Sequence, residues 1–201
     1  MGDVTSRTAF DDPDTLRAWQ RAQRRSTAAL AFWGLSLPGF FVLGTLLWES
    51  LVGGSLPIYV IVPLVLASAI GIGLSERRRS HVKQMKGILA VYAWQDHPPL
   101  KSVHPGDVAH FQLPDPDASS KKVSVVALRY GLGKQWRATM TEARAQGFTL
   151  AGDPRFGVVI SPREQRKLIA VQPKHPPLTS GRPNEVDEAS WRQARAAGIA
   201  H

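Results

Sequence analysis

Three histidines, His97, His104 and His110, form the densest group of side chains in this chain able to hold a metal ion. Their spacings of 7 and 6 give no i, i+4 pair on a helix face. No glutamate stands where the general base of a zinc hydrolase belongs. Tyr130-Gly131-Leu132-Gly133-Lys134 has the glycines and lysine of a phosphate-cradling loop. It lacks the four-residue spacer and the following Ser or Thr that would reach Mg²⁺, so it reads as a glycine turn. The serines and threonines have no elbow motif and no base beside them in sequence. The chain has no cysteine, which removes thiolate nucleophiles, disulfides and cysteine zinc sites together. These residues predict a protein that is not an enzyme, with no catalytic residue, no cofactor and no metal.

Binding chemistry is better represented. The net charge is +9, and from Arg77 onward 20 Lys or Arg face 10 Asp or Glu. Arg77, Arg78, Arg79, Lys83 and Lys86 are candidate contacts to anionic lipid or another anion. A basic residue near an anionic membrane surface contributes about 1 kcal/mol. Lys121, Lys122, Arg163, Arg166 and Lys167 extend the basic character into the C-terminal part. Nucleic acid would use the same phosphate chemistry, but neither aromatic interleaving nor a helix-turn-helix pattern accompanies these charges. Trp19 and Trp191 stand in otherwise polar helical segments that echo each other, Arg17-Ala18-Trp19-Gln20-Arg21-Ala22-Gln23 and Ala189-Ser190-Trp191-Arg192-Gln193-Ala194-Arg195. Both are candidate docking points for a partner or for one another. Gly152-Asp153-Pro154-Arg155 has the composition of a tight hairpin turn, with Arg155 as a third candidate contact.

The elements that position these residues begin with a hydrophobic hairpin. No charge occurs from Ser26 to Trp48 or from Ser50 to Ser75; Glu49 alone separates the two stretches. Each exceeds the roughly 20 apolar residues needed to cross a hydrocarbon core about 30 Å thick. Arg24-Arg25 before the first stretch superficially suggests a leader peptide, but the run exceeds a signal h-region and a second span follows at once. Arg17, Arg21, Arg24 and Arg25 precede the first span, five basic residues follow the second, and the loop between has none. This asymmetry predicts a multi-pass protein of the plasma membrane with both termini cytoplasmic. Trp33, Trp48 and Tyr59 lie near span ends, where amphipathic rings favour the headgroup zone. Gly34, Gly39, Gly44, Ala67, Gly71 and Gly73 offer small surfaces for close helix packing, with Ala67 to Gly71 at small-xxx-small spacing. The absence of ionisable groups inside the spans argues against an ion path, a proton relay or a transporter, and nothing favours a homo-oligomeric pore.

Five segments follow: an N-terminal helix over 1–26, the hairpin over 27–75, a basic juxtamembrane helix over 76–96, an α+β domain over 97–173, and a proline-rich linker with a C-terminal helix over 174–201. Asp12-Pro13-Asp14 starts the first helix. Met85, Ile88, Leu89 and Tyr92 mark an apolar stripe on the juxtamembrane helix, which His97-Pro98-Pro99 is expected to end. Strands are expected near 108–113, 122–130, 148–151, 156–160 and 167–172, with a helix over 136–146 stopped by Gly147. Its inner positions are Trp136, Met140 and Ala143. Asn184 is expected to cap a last helix over 185–197. The fold class is thus a transmembrane helical hairpin plus a small cytoplasmic α+β domain, a partly open barrel or sheet with one helix.

Two features together carry a resemblance: the paired spans followed by a basic segment with Val91-Tyr92-Ala93-Trp94-Gln95, and Gly152-Asp153-Pro154-Arg155-Phe156-Gly157-Val158-Val159. They resemble a group of uncharacterised actinobacterial two-span membrane proteins whose small cytoplasmic domain bears a Gly-Asp-x-Arg-Phe-Gly-Gly-Val turn. Val158 replaces the second glycine of that pattern. The resemblance implies a lineage and a fold type and brings no activity with it. The expected function is a membrane-anchored, non-enzymatic accessory or adaptor, whose basic domain engages a protein partner or a further copy of itself beside anionic lipid. A membrane-associated DNA-binding accessory protein, for example in conjugative DNA transfer, is the alternative.

Overall fold

The computed structural model describes residues 7–51, 53, 58–99, 109–118, 120–128, 133–163, 167–174 and 186–200. The chain divides into two compact units, Arg21–Val82 and a second formed by Met1–Gln20 together with Lys83–His201.

Two long helices run through the first unit, α1 (Pro13–Leu51) and α2 (Ile58–Val91). Both are long and apolar enough to cross a membrane. Between them the packing is local and specific. A Cβ on Gly71 would lie 2.2 Å from the Trp33 ring, so the indole fills a notch that only glycine leaves open. Ser68 and Ser75 flank that notch on the same buried stripe, and Ser75 Oγ donates to the Gly71 carbonyl at 2.7 Å. The close-packing surface is therefore Ser68, Gly71 and Ser75, spaced i, i+3, i+7. Ala67 is exposed, and Gly34, Gly39 and Gly73 face open space. The expected small-residue contact is corrected accordingly, because the helix buries the 3.6-residue period rather than every small residue.

In the second unit, six antiparallel strands form one curled half-barrel sheet, in the order β1-β4-β5-β6-β3-β2. They are β1 (Gln95–His97), β2 (His110–Pro114), β3 (Lys122–Ala127), β4 (Phe148–Asp153), β5 (Gly157–Pro162) and β6 (Ile169–Pro173). Strand alternation sends Phe111, Leu113, Val125, Ala127, Phe148, Leu150, Val158, Ile160, Ile169 and Val171 to one face. There they meet Trp136, Met140 and Ala143 of α3 (Gly133–Gln146), the three positions expected from sequence. Gly147, at φ +87°, ends α3.

The opposite face carries Ala151, Val159 and Ala170, also buried. The last turns of α2 lie on this side, where Gln172 Nε2 donates to Gln84 Oε1 at 3.2 Å. Met85, Ile88, Leu89 and Tyr92 are all buried, as the stripe requires. The start of α1 also belongs here. Asp12 caps it by accepting from Thr15 N and Thr15 Oγ1, and Pro13 occupies the first helical position. Trp94 Nε1 donates to Thr15 Oγ1 at 2.9 Å, and Ala9 N donates to the Tyr92 carbonyl.

Two expected elements differ. The juxtamembrane helix stops at Val91, not at His97, because Gln95–His97 pairs with Leu150–Phe148 as an edge strand. Strand pairing there supersedes the helical continuation. The last helix, α4 (Glu188–Ala196), is capped by Asp187, whose carboxylate accepts from Ala189 N and Ser190 N. Asn184 and most of the proline-rich linker lie outside the described residues.

Candidate functional site

The hairpin turn between β4 and β5 is densely bonded. Gly152, at φ +120°, lets the strand approach the Gly157 carbonyl. Asp153 Oδ1 accepts from Arg155 N at 2.9 Å, closing the turn through the aspartate side chain. The Arg155 guanidinium grips the same carboxylate in a fork, Nε to Oδ1 at 3.0 Å and Nη2 to Oδ2 at 2.7 Å. Its Nη1 bonds Asp117 and lies 3.7 Å from Asp115, both in the β2–β3 turn. Burial opposes the charge, yet the hydrogen bonds to Asp153 and Asp117 outweigh it and hold the guanidinium above its ordinary range. The Arg155 side chain is only 11% exposed and is engaged on three aspartates of its own domain. It cross-links two turns.

Tyr92 packs into the same neighbourhood. Its hydroxyl is buried and has no hydrogen-bond partner among the described residues. Burial first, and then the Asp153 carboxylate, push the phenol above its ordinary value, with Arg155 opposing.

Trp191 is likewise engaged within the domain. It meets Phe156 of the turn at 5.6 Å between ring centroids, within a second apolar cluster that adds Val186, Ala194, Ala200 and Ile199. A Cβ on Gly87 would lie 2.1 Å from the Ala197 carbonyl oxygen, so α2 and the end of α4 touch backbone to backbone. Trp19 is elsewhere. It packs edge-on against Phe10 at 5.6 Å, and Lys86 Nζ sits 5.6 Å from its ring centroid. The two tryptophans do not pair with each other; Trp19 remains partly exposed and Trp191 is buried.

Of the basic residues on α2, Arg77, Arg79, Lys83 and Lys86 are exposed and Arg78 is half-buried. Helical spacing brings Arg79, Lys83 and Lys86 to one side, away from the Met85–Ile88–Leu89–Tyr92 stripe. His97 stacks on Phe148 at 4.9 Å, His110 sits in β2, and His104 lies outside the described residues, as does the start of the glycine turn at Tyr130 to Leu132. Among the described residues no group of three or more His, Cys, Asp or Glu is placed to hold a metal.

No family model, curated protein or solved structure matches the chain. The candidate sites therefore stand on their own geometry.

No motif pointed to a cleft on the outer face of the sheet. It is lined by Asp12, Thr15, Trp94, Asp96, Thr149, Ser161, Pro162, Arg163 and Leu168. These residues come from separate segments and meet only through strand register, which pairs Asp96 with Thr149 and Thr149 with Ser161.

Proposed function

We propose that the protein is a membrane-anchored, non-enzymatic adaptor, held by the α1–α2 hairpin and engaging a protein partner through its basic sheet domain at the cytoplasmic face. The observation that carries the anchoring is where the exposed apolar surface lies. Phe32, Leu35, Tyr59, Ile70 and Leu74 are 61%, 73%, 71%, 62% and 62% exposed. Apart from Leu16, every large exposed hydrophobic among the described residues falls between positions 32 and 74. A core helix of a soluble protein would hide these side chains. Lipid is the solvent that suits them.

The placement of both chain ends on one side of the bilayer is supported by the bonds of the second unit. Thr15, before the first span, accepts from Trp94, after the second, and Ala9 bonds Tyr92. Ends joined this way share a compartment, and the arginines and lysines flanking the spans favour the cytoplasm. The partner-facing surface in this reading is Trp19 with Phe10 and Lys86, beside the exposed basic side of α2, where anionic headgroups are the default neighbour.

The test is covalent capture. A photo-crosslinking side chain at position 19, in cells, should give one discrete adduct heavier than the monomer, and the same substitution at exposed Arg192 should not. Only lipid adducts at position 19 would overturn the adaptor reading while leaving the anchor intact.

A further inference from the structure

We propose that the outer-face cleft binds a neutral polyhydroxylated ligand, a sugar of one or two rings. This goes beyond anchoring and partner binding and does not depend on either.

The cleft exists because of how the outer face is covered. Strand register sets Asp96, Thr149 and Ser161 side by side on β1, β4 and β5. Trp94 and Arg163, just beyond the ends of β1 and β5, also line it. The start of α1 forms the remaining wall through Asp12 and Thr15. The volume is about 400 Å³, within the range of small-ligand pockets, roughly 300–1,000 Å³.

Two of the three buried lining residues are polar; the third is Pro162. Ser161 and Thr15 are 7% and 6% exposed. The contact of Ser161 Oγ is to the carbonyl of its own neighbour, Pro162, at 3.5 Å, the outer limit of a hydrogen bond. A hydroxyl more than nine-tenths buried thus lines the cleft with its proton almost unused, where buried polar groups are normally paired. Thr149 Oγ1 donates to the Ser161 carbonyl at 3.2 Å and keeps its lone pairs. At the rim, the Arg163 guanidinium and Asp96 carboxylate stand 3.5 Å apart.

These groups select a ligand class. A guanidinium next to a carboxylate offers donors and an acceptor to adjacent hydroxyls, each of which both donates and accepts. Two carboxylates, Asp12 and Asp96, against the single guanidinium of Arg163 disfavour a free phosphate or carboxylate. Trp94, Pro162 and Leu168 supply apolar wall for the C–H face of a ring. Acceptors, donors and an aromatic side together fit a sugar better than they fit a simple anion or cation.

The experiment uses the full chain in phospholipid nanodiscs, so that no glycoside detergent competes. Saturation-transfer-difference NMR is recorded with methyl α-D-glucopyranoside, methyl β-D-galactopyranoside and maltose, and with phosphate and glycine in competition. The expected result is saturable transfer to the ring protons of at least one sugar, undiminished by phosphate or glycine. Asp96→Asn and Arg163→Gln, at side chains 74% and 51% exposed where substitutions cost little stability, should each weaken it about tenfold or more, the loss of a charged hydrogen bond. No saturable transfer from any of the three sugars would overturn the proposal. So would equal affinity in both variants, or displacement by phosphate or glycine.

Discussion

Arg155→Met is the most informative single change, because it removes the guanidinium while keeping most of the stem. Asp153 is 4% exposed, and without Arg155 it keeps one bond, from the residue 155 amide, for a full negative charge. Breaking a buried pair by removing one partner costs about 3–5 kcal/mol, a large fraction of the roughly 5–15 kcal/mol that holds a domain together. The pair Arg17–Asp14 sets the contrast: Arg17 is 68% exposed, and removing a surface pair costs about 0–1 kcal/mol. The double variant Asp153→Asn, Arg155→Met should recover much of the loss, since no buried charge is then unpaired. Urea unfolding of the full chain in nanodiscs, followed by tryptophan fluorescence, reads wild type, Arg155→Met, Asp153→Asn, the double variant and Arg17→Met. A cost for Arg155→Met no greater than that for Arg17→Met, or a double variant as unstable as the Asp153→Asn and Arg155→Met losses added, would refute a buried ion pair at this turn.

Four further outcomes follow from other parts of the molecule. Leu35→Arg, at a 73% exposed site, should cost about 2.5–3.5 kcal/mol in membrane insertion; retention of the variant in alkali-washed membranes at the wild-type level would contradict a lipid-facing position. Gly87→Val should lift α4, because its Cβ would meet the Ala197 carbonyl at 2.1 Å, and faster amide hydrogen exchange over 188–196 is the readout. Tyr92→Phe should leave stability unchanged or raise it by about 1 kcal/mol, since it deletes a buried hydroxyl without a partner among the described residues. The phenol is raised in the folded state, so its contribution is present below about pH 10 and is lost as pH climbs through the folded value; unfolding curves above about pH 10 should fall for wild type and stay flatter for the variant. Asp187 has the opposite sign: hydrogen bonds from Ser190 and Ala189 lower its carboxyl, so α4 docking is stabilised above the ordinary carboxylate range and loses this as pH falls through the lowered value. Asp187→Ala should remove that acid dependence from α4 exchange.

Local signals in the sequence carried much of the domain. The Asp12-Pro13 start, the Met85–Tyr92 stripe, the Trp136 helix and the Gly152–Arg155 turn rest on spacing and turn chemistry that act within a few residues. The misread end of α2 is different. Gln95–His97 has no strand pattern of its own, and it is extended because β4, some 50 residues later, offers it a partner. Arg155 illustrates a second limit. Its sequence neighbours show an exposed-looking turn, whereas its burial comes from Asp115 and Asp117, which the sheet order brings back beside it. The outer cleft was invisible for the same reason, since Asp12, Asp96, Thr149 and Ser161 are neighbours only in the register of three strands and one helix end.

The hydrogen bond from Trp94 to Thr15 spans 79 positions, with both apolar helices between its ends. During synthesis at roughly 5–20 residues per second, the first turns of α1 therefore leave the ribosome about 4–16 s before their partner exists. In that interval Ala9, Thr15 and Ala18, all buried in the finished protein, are bare. The sheet domain closes over them only after the second long helix has been made. Completion of the fold is thus ordered in time, waiting on both long helices, and a chain stalled or truncated before position 94 would leave Ala9, Thr15 and Ala18 uncovered.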